Sequence, residues 1–130
     1  MDISVQDRDE AAAPARGERL CSRPIDLVYL ARFTLGNRAL EREVLELFAT
    51  QAPLYLAQLR TAADDRAWHM AAHTLKGSAS AVGAWKAAAA AEAAEACTGA
   101  DSVARRAAAI ARLEPLLAEA RSYIHTLFRS

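Results

Sequence analysis

Trp68-His69-Met70-Ala71-Ala72-His73-Thr74-Leu75-Lys76-Gly77-Ser78-Ala79-Ser80-Ala81-Val82 is the stretch on which the reading of this chain turns. At about 100° per residue, Trp68, Ala72, Leu75, Ala79 and Val82 share one face of a helix, an apolar stripe suited to a core. His73 and Gly77 fall nearly opposite, flanked by Arg66, Met70 and Ser80, and Lys76 lies on the boundary between the two faces. The spacing therefore predicts an exposed His73 with Lys76 leaning towards it. A glycine inside a helix costs about 1 kcal/mol relative to alanine. Since alanine fills most small positions here, Gly77 needs a reason, and the reason we assign is clearance for a second molecule approaching His73.

Outward from that helix, the same signals recur. Asp64 or Asp65 is the expected N-cap and Gly83 the stop. Upstream, Pro24 opens a short helix whose apolar residues Ile25, Val28, Tyr29 and Phe33 precede the stop Gly36-Asn37. Asn37 then caps a longer helix to about Thr61, with Leu40, Val44, Leu47, Phe48, Leu54 and Leu59 as its stripe and Pro53 as a bend or break. Downstream, Ala84 to about Cys97 is an alanine-rich helix, which forms easily but has little volume, so its neighbour must approach closely. Gly99 closes it and Asp101 caps the last helix from Ser102, with Val103, Ala107, Ile110, Leu113, Leu117, Ile124 and Leu127 or Phe128 inward and a kink or restart at Pro115. No strand-like alternation occurs, so the expected fold is all-α: an up-down-up-down four-helix bundle with a short additional N-terminal helix.

Residues 1–22 are polar, mixed in charge and without a helical stripe, and are expected to form a flexible tail preceding a bundle domain over 23–130. The 130 residues carry 16 basic and 16 acidic side chains, a formal net charge of zero, which argues against a nucleic-acid or anionic-membrane binder. Cys21 and Cys97 lack CxxC spacing and read as free thiols. With no long apolar run and an acidic N-terminus unlike a signal peptide, a cytoplasmic protein is expected, and a closed four-helix bundle can stand as a monomer.

An exposed imidazole is a nucleophile at physiological pH, and a neighbouring ammonium attracts an anionic electrophile, a combination that suits accepting a phosphoryl group. Acyl transfer would require a companion base and an oxyanion hole, which the sequence does not assemble. Asp65, His69 and His73 recur every four residues, the spacing of metal ligands on a helix, but no Glu follows as in HExxH and no fourth ligand has a place, so no metal site is expected. His69, Met70, Ser80 and Trp85 are expected to rim a docking surface with Gly77.

His73-Thr74-Leu75-Lys76-Gly77-Ser78, followed by Ala79, Val82, Gly83 and Ala84, resembles the motif of the histidine-containing phosphotransfer (HPt) domain, and the likeness extends from about Ile25 to Ile124, with Phe48, Pro53, Leu56 and Leu59 similar to that family's second helix. The resemblance implies a phosphorelay intermediate rather than an enzyme with its own kinase activity. The residue matching His73 would take a phosphoryl group from a receiver-domain phospho-aspartate and pass it to another receiver aspartate. Lys76 would stabilise phosphate charge and Gly77 would let the receiver approach. The implied partners are response-regulator receiver domains and a hybrid histidine kinase. No cofactor is implied for this chain, since the divalent metal belongs to the receiver. The alternative from a different class is a non-catalytic helical adaptor that binds a partner through the His73 face.

Overall fold

The computed structural model describes residues 23–99 and 102–129, and the tail expected over 1–22 lies outside them. Five helices follow one another: α1 (Leu27–Thr34), α2 (Arg38–Arg60), α3 (Asp65–Ala81), α4 (Trp85–Glu95) and α5 (Val103–Phe128). No strand occurs among the described residues. Helices α2 to α5 pack in a ring, α2 on α3, α3 on α4, α4 on α5 and α5 back on α2, while α1 rests on α2. The all-α four-helix bundle with a short N-terminal helix is thus the observed architecture. Among the described residues no helix is long and apolar enough to cross a membrane.

Local chemistry sets the ends of the central helix. The Asp64 carboxylate accepts from the Ala67 N–H at 2.8 Å, capping α3. At the other end Gly83 takes φ +76°, its N–H donates to Ser80 O at 3.1 Å, and the Ala84 N–H reaches back to Ala79 O at 2.8 Å. This is a Schellman stop, which favours glycine. A Cβ at Gly83 would also lie 2.9 Å from both Cβ and O of Asp26, so glycine is required twice over. Asp26 in turn caps α1 through Tyr29 N (3.0 Å) and accepts from Trp85 Nε1 (2.9 Å), joining the starts of α1 and α4.

The expected α3 stripe is the observed one: Trp68, Ala72, Leu75, Ala79 and Val82 are buried, together with Ala71. The alanine face of α4 (Ala87, Ala88, Ala90, Ala91, Ala94) is buried as well, and α3 and α4 form the most extensive helix pair in the bundle.

Three other stripes differ from expectation. On α1, Val28 and Phe33 are exposed (71% and 65%), whereas Ile25, Leu30 and Thr34 are buried. The helix begins after the Asp26 cap rather than at Pro24, so Ile25 precedes it and the inward face is reset to Leu30 and Thr34. On α2, Leu40, Leu47 and Leu54 face outward, Val44 is half-buried, and the core residues are Leu45, Phe48, Ala52, Leu56 and Leu59. Their steps of three, four, four and three are the regular helical ones, and counting by side-chain bulk passes over Ala52. On α5, Val103 and Ala107 are exposed and Ile110 half-buried, while Leu113, Leu117, Ala120 and Ile124 form the inner face. Ser102, not Asp101, precedes the first helical residue, and Asp101 lies outside the described residues.

Neither proline breaks its helix: α2 continues through Pro53 and α5 through Pro115. Proline at 53 has no N–H for the Ala49 carbonyl. Arg121 Nε donates to that carbonyl at 3.0 Å, so a side chain from α5 replaces the missing backbone bond.

Around Trp68 the ends of three helices converge. Its indole Nε1 donates to Ala94 O at 2.7 Å, and Arg106 of α5 lies over the ring at 5.0 Å while donating to Cys97 O at 2.9 Å. Arg106 also pairs with Asp65, which accepts from Gly99 N at 3.2 Å. The Arg106 hydrogen bond, then the Gly99 N–H, hold the Asp65 carboxyl below its ordinary 3.8. A carboxyl depressed on folding stabilises the fold at pH values above its unfolded pKa, and that contribution is lost as pH falls through the lower, folded value. Urea unfolding followed from pH 6 to pH 2 is therefore expected to show a decline below pH 3.8 that is shallower in Asp65→Asn.

Candidate functional site

His73 projects from the outer face of α3 with 63% of its side chain exposed, as its place opposite the stripe requires. One turn earlier on the same face stands His69, 54% exposed, the two rings lying nearly parallel with centroids 6.0 Å apart. From the C-terminal end of α4, Glu95 reaches both. Its Oε2 lies 2.8 Å from His73 Nδ1 and 3.3 Å from His69 Nε2, and its Oε1 is 3.5 Å from Lys76 Nζ. Lys76 thus leans towards Glu95, where the sequence reading had it leaning towards the imidazole; a carboxylate outcompetes a neutral ring for an ammonium.

Glu95 is only 15% exposed. Burial pushes its pKa up, but the hydrogen bond with His73 and the charges of Lys76, His73 and His69 outweigh it, leaving the carboxyl below its ordinary value. An ionised carboxylate only accepts hydrogen bonds. The 2.8 Å contact therefore places a proton on His73 Nδ1, and in the neutral ring the lone pair is then on Nε2, the nitrogen far from the backbone. His69 is turned the other way: its Nε2 faces Glu95, and its remaining nitrogen, Nδ1, is the one crowded by its own Cβ.

Gly77 follows His73 by one turn and is exposed. A Cβ added there would meet nothing within 4 Å, so no internal packing requires a glycine. Gly77→Ala is accordingly expected to raise stability by up to about 1 kcal/mol, the helix-propensity difference, in a urea melt.

The remaining rim residues are spread out. Met70 is 57% exposed on α3. Ser80 is half-buried seven residues beyond His73, about 10 Å along the helix. Trp85 opens α4 and Glu95 closes it, about 15 Å apart along the axis. Trp85 is half-buried, with Nε1 on Asp26 and its ring edge-on to Tyr29 at 4.6 Å, so its position is fixed from within.

The sequence reading missed Glu95, which is 22 residues from His73. The available signal was that α4 offers only Glu92 and Glu95 as acidic residues in an alanine run, and only the packing of α4 on α3 shows which of them reaches the histidines.

No curated protein and no solved structure matches the chain. The family model described as the Hpt domain matches residues 43–123, a span that takes in His73, Lys76, Gly77 and Glu95. That span is more than half of the 130 residues, runs from within α2 to within α5, and agrees with the helical bundle, and the chain therefore belongs to the Hpt domain family.

Proposed function

We propose that this chain is a phosphorelay intermediate in which His73 Nε2 accepts a phosphoryl group from the phospho-aspartate of one receiver domain and delivers it to the aspartate of another. Hpt domains act as phosphocarriers in two-component phosphorelays, are not kinases, and engage receiver domains and histidine kinases. The observation that carries the reading to His73 is its pairing with Glu95, Nδ1 held at 2.8 Å on a side chain that is 63% exposed.

In the forward step the Nε2 lone pair forms the N–P bond as the acyl-phosphate O–P bond breaks, and the electron pair leaves on the aspartate carboxylate. The ring keeps its Nδ1 proton and gains positive charge, which the Glu95 carboxylate opposes at hydrogen-bond distance. Return transfer to a second receiver reverses these bonds. Lys76, whose Nζ lies 3.5 Å from Glu95 Oε1, we assign to stabilising the charge of the phosphoryl oxygens. Catalysis of this kind depends mostly on positioning and charge stabilisation, the divalent metal being the receiver's contribution. We assign Gly77 to receiver clearance, His69, Met70, Ser80 and Trp85 to the surrounding rim, and the cytoplasm as the working compartment of a monomeric carrier.

The test is to incubate the full chain with a phosphorylated receiver domain and follow labelled phosphate. The expected product is acid-labile and base-stable, and ATP alone gives none; absence of label from the receiver would sink the reading. Glu95→Gln removes the charge that opposes the ring cation and is expected to slow acceptance by about 10- to 100-fold, the usual cost of losing a group that orients a histidine, as read by quenched-flow labelling. Gly77→Gln is expected to fold normally and to bind receiver at least about tenfold more weakly, the effect of a 1.4 kcal/mol clash, in a titration calorimeter.

A further inference from the structure

We infer that His69, His73 and Glu95 together form a site for a divalent transition metal, zinc or cobalt in class, and that a metal bound there keeps His73 from accepting a phosphoryl group. The three ligand atoms, His69 Nε2, His73 Nδ1 and Glu95 Oε2, all lie within 4.8 Å of one another. Two imidazoles and one carboxylate, with a fourth position open to solvent, are a donor set that zinc uses. Metal–ligand bonds of 2.0–2.1 Å set a tetrahedral edge of about 3.3 Å. The His69–Glu95 separation of 3.3 Å already meets that edge, and the His73–Glu95 hydrogen bond of 2.8 Å must open by roughly half an ångström. Both histidine side chains are more than half exposed on one helix face, and the third edge, His69 Nε2 to His73 Nδ1, lies within 4.8 Å and has to come to the same tetrahedral length. The α3 sequence alone offers Asp65, His69 and His73, but Asp65 is drawn away to Arg106 and Gly99, and Glu95 from α4 completes the set instead. Imidazole donors select this class of ion over magnesium or calcium, which take oxygen ligands.

The consequence for His73 follows from its two nitrogens. With Glu95 as partner, Nδ1 carries the proton and Nε2 the lone pair. A metal takes the Nδ1 lone pair, so the proton of the neutral ring moves to Nε2, and that nitrogen becomes a donor with no lone pair to attack phosphorus. Metal and phosphoryl group are thus alternatives on one ring. This second step rests on the phosphotransfer reading; metal binding itself does not.

The experiment titrates the full chain, carrying Cys21→Ser and Cys97→Ser to remove thiol ligands, with cobalt followed by visible absorption and with zinc against a chromophoric chelator. One equivalent is expected to bind, His69→Gln, His73→Gln and Glu95→Gln each to weaken it by at least about tenfold, and His125→Gln on α5 to leave it unchanged. Far-UV circular dichroism checks that each variant keeps its helix content. Failure to bind one equivalent, or binding that survives loss of any one of the three residues, overturns the site. In a second arm the chain receives phosphate from a phosphorylated receiver at rising zinc. Acceptance by the parent chain is expected to fall in proportion to occupancy, while His69→Gln keeps its own metal-free rate at the same zinc, which separates this effect from any action of zinc on the receiver. Undiminished acceptance by the fully occupied chain overturns the silencing step. A chain never labelled even without zinc refutes the phosphotransfer reading and the silencing with it, and the titration still decides the metal site.

Discussion

His73→Gln is expected to reduce phosphoryl acceptance to background while leaving the bundle folded. Glutamine keeps a donor that can reach Glu95, but its amide nitrogen has no available lone pair, so no N–P bond can form. The side chain it replaces is 63% exposed and belongs to no part of the core, so a urea melt is expected to move by no more than about 0.5 kcal/mol. His69 cannot substitute for it. Its outer nitrogen, Nε2, is the one turned to Glu95 at 3.3 Å, and the nitrogen left over is shielded by its own Cβ. Labelling of His73→Gln at anything near the wild-type rate would show that the acceptor is elsewhere.

The second large effect is on stability. Trp68→Ala is expected to cost about 3–5 kcal/mol, the range for removing a large buried aromatic side chain. Trp68 is 1% exposed, and its loss also strands the Ala94 carbonyl, which it meets at 2.7 Å, and the guanidinium of Arg106 stacked on its ring. Against a total of about 5–15 kcal/mol for a domain, this is enough to shift the urea midpoint far down or unfold the chain outright. Trp68→Phe isolates the hydrogen bond and is expected to cost about 1–3 kcal/mol. Because Ala94 precedes Glu95, the same indole fixes the end of α4 that delivers the carboxylate to His73. Trp68→Phe, still folded, is therefore expected to accept phosphate more slowly than the parent chain.

What the sequence made legible was local chemistry. Asn37 and Asp64 cap their helices because a short polar side chain can meet the free N–H groups two or three residues on, and Gly83 stops α3 because only glycine takes φ +76° easily against Asp26. The α3 stripe was readable because Trp68, Leu75 and Val82 differ sharply from the His73 and Gly77 face. On α1, α2 and α5 large apolar residues occur on more than one face, and choosing by bulk put Val28, Leu47, Leu54 and Val103 inside, where the bundle instead buries Leu30, Ala52, Leu56 and Ala120. Ala52 and Ala120 are buried because of how the ring of helices packs, a property of the assembled bundle rather than of either helix. Glu95 was out of reach for the same reason: no spacing rule links it to His73, and only the packing of α4 on α3 brings their side chains to 2.8 Å.

The most direct measurement is nitrogen-resolved NMR of the chain labelled with ¹⁵N-histidine, before and after phosphoryl transfer from a receiver domain. The expected spectra show His73 as the Nδ1–H tautomer at rest and phosphorylated on Nε2 afterwards, with the rings of His69 and His125 unphosphorylated throughout. Phosphate on His69, on Nδ1 of His73, or on no ring at all would contradict it.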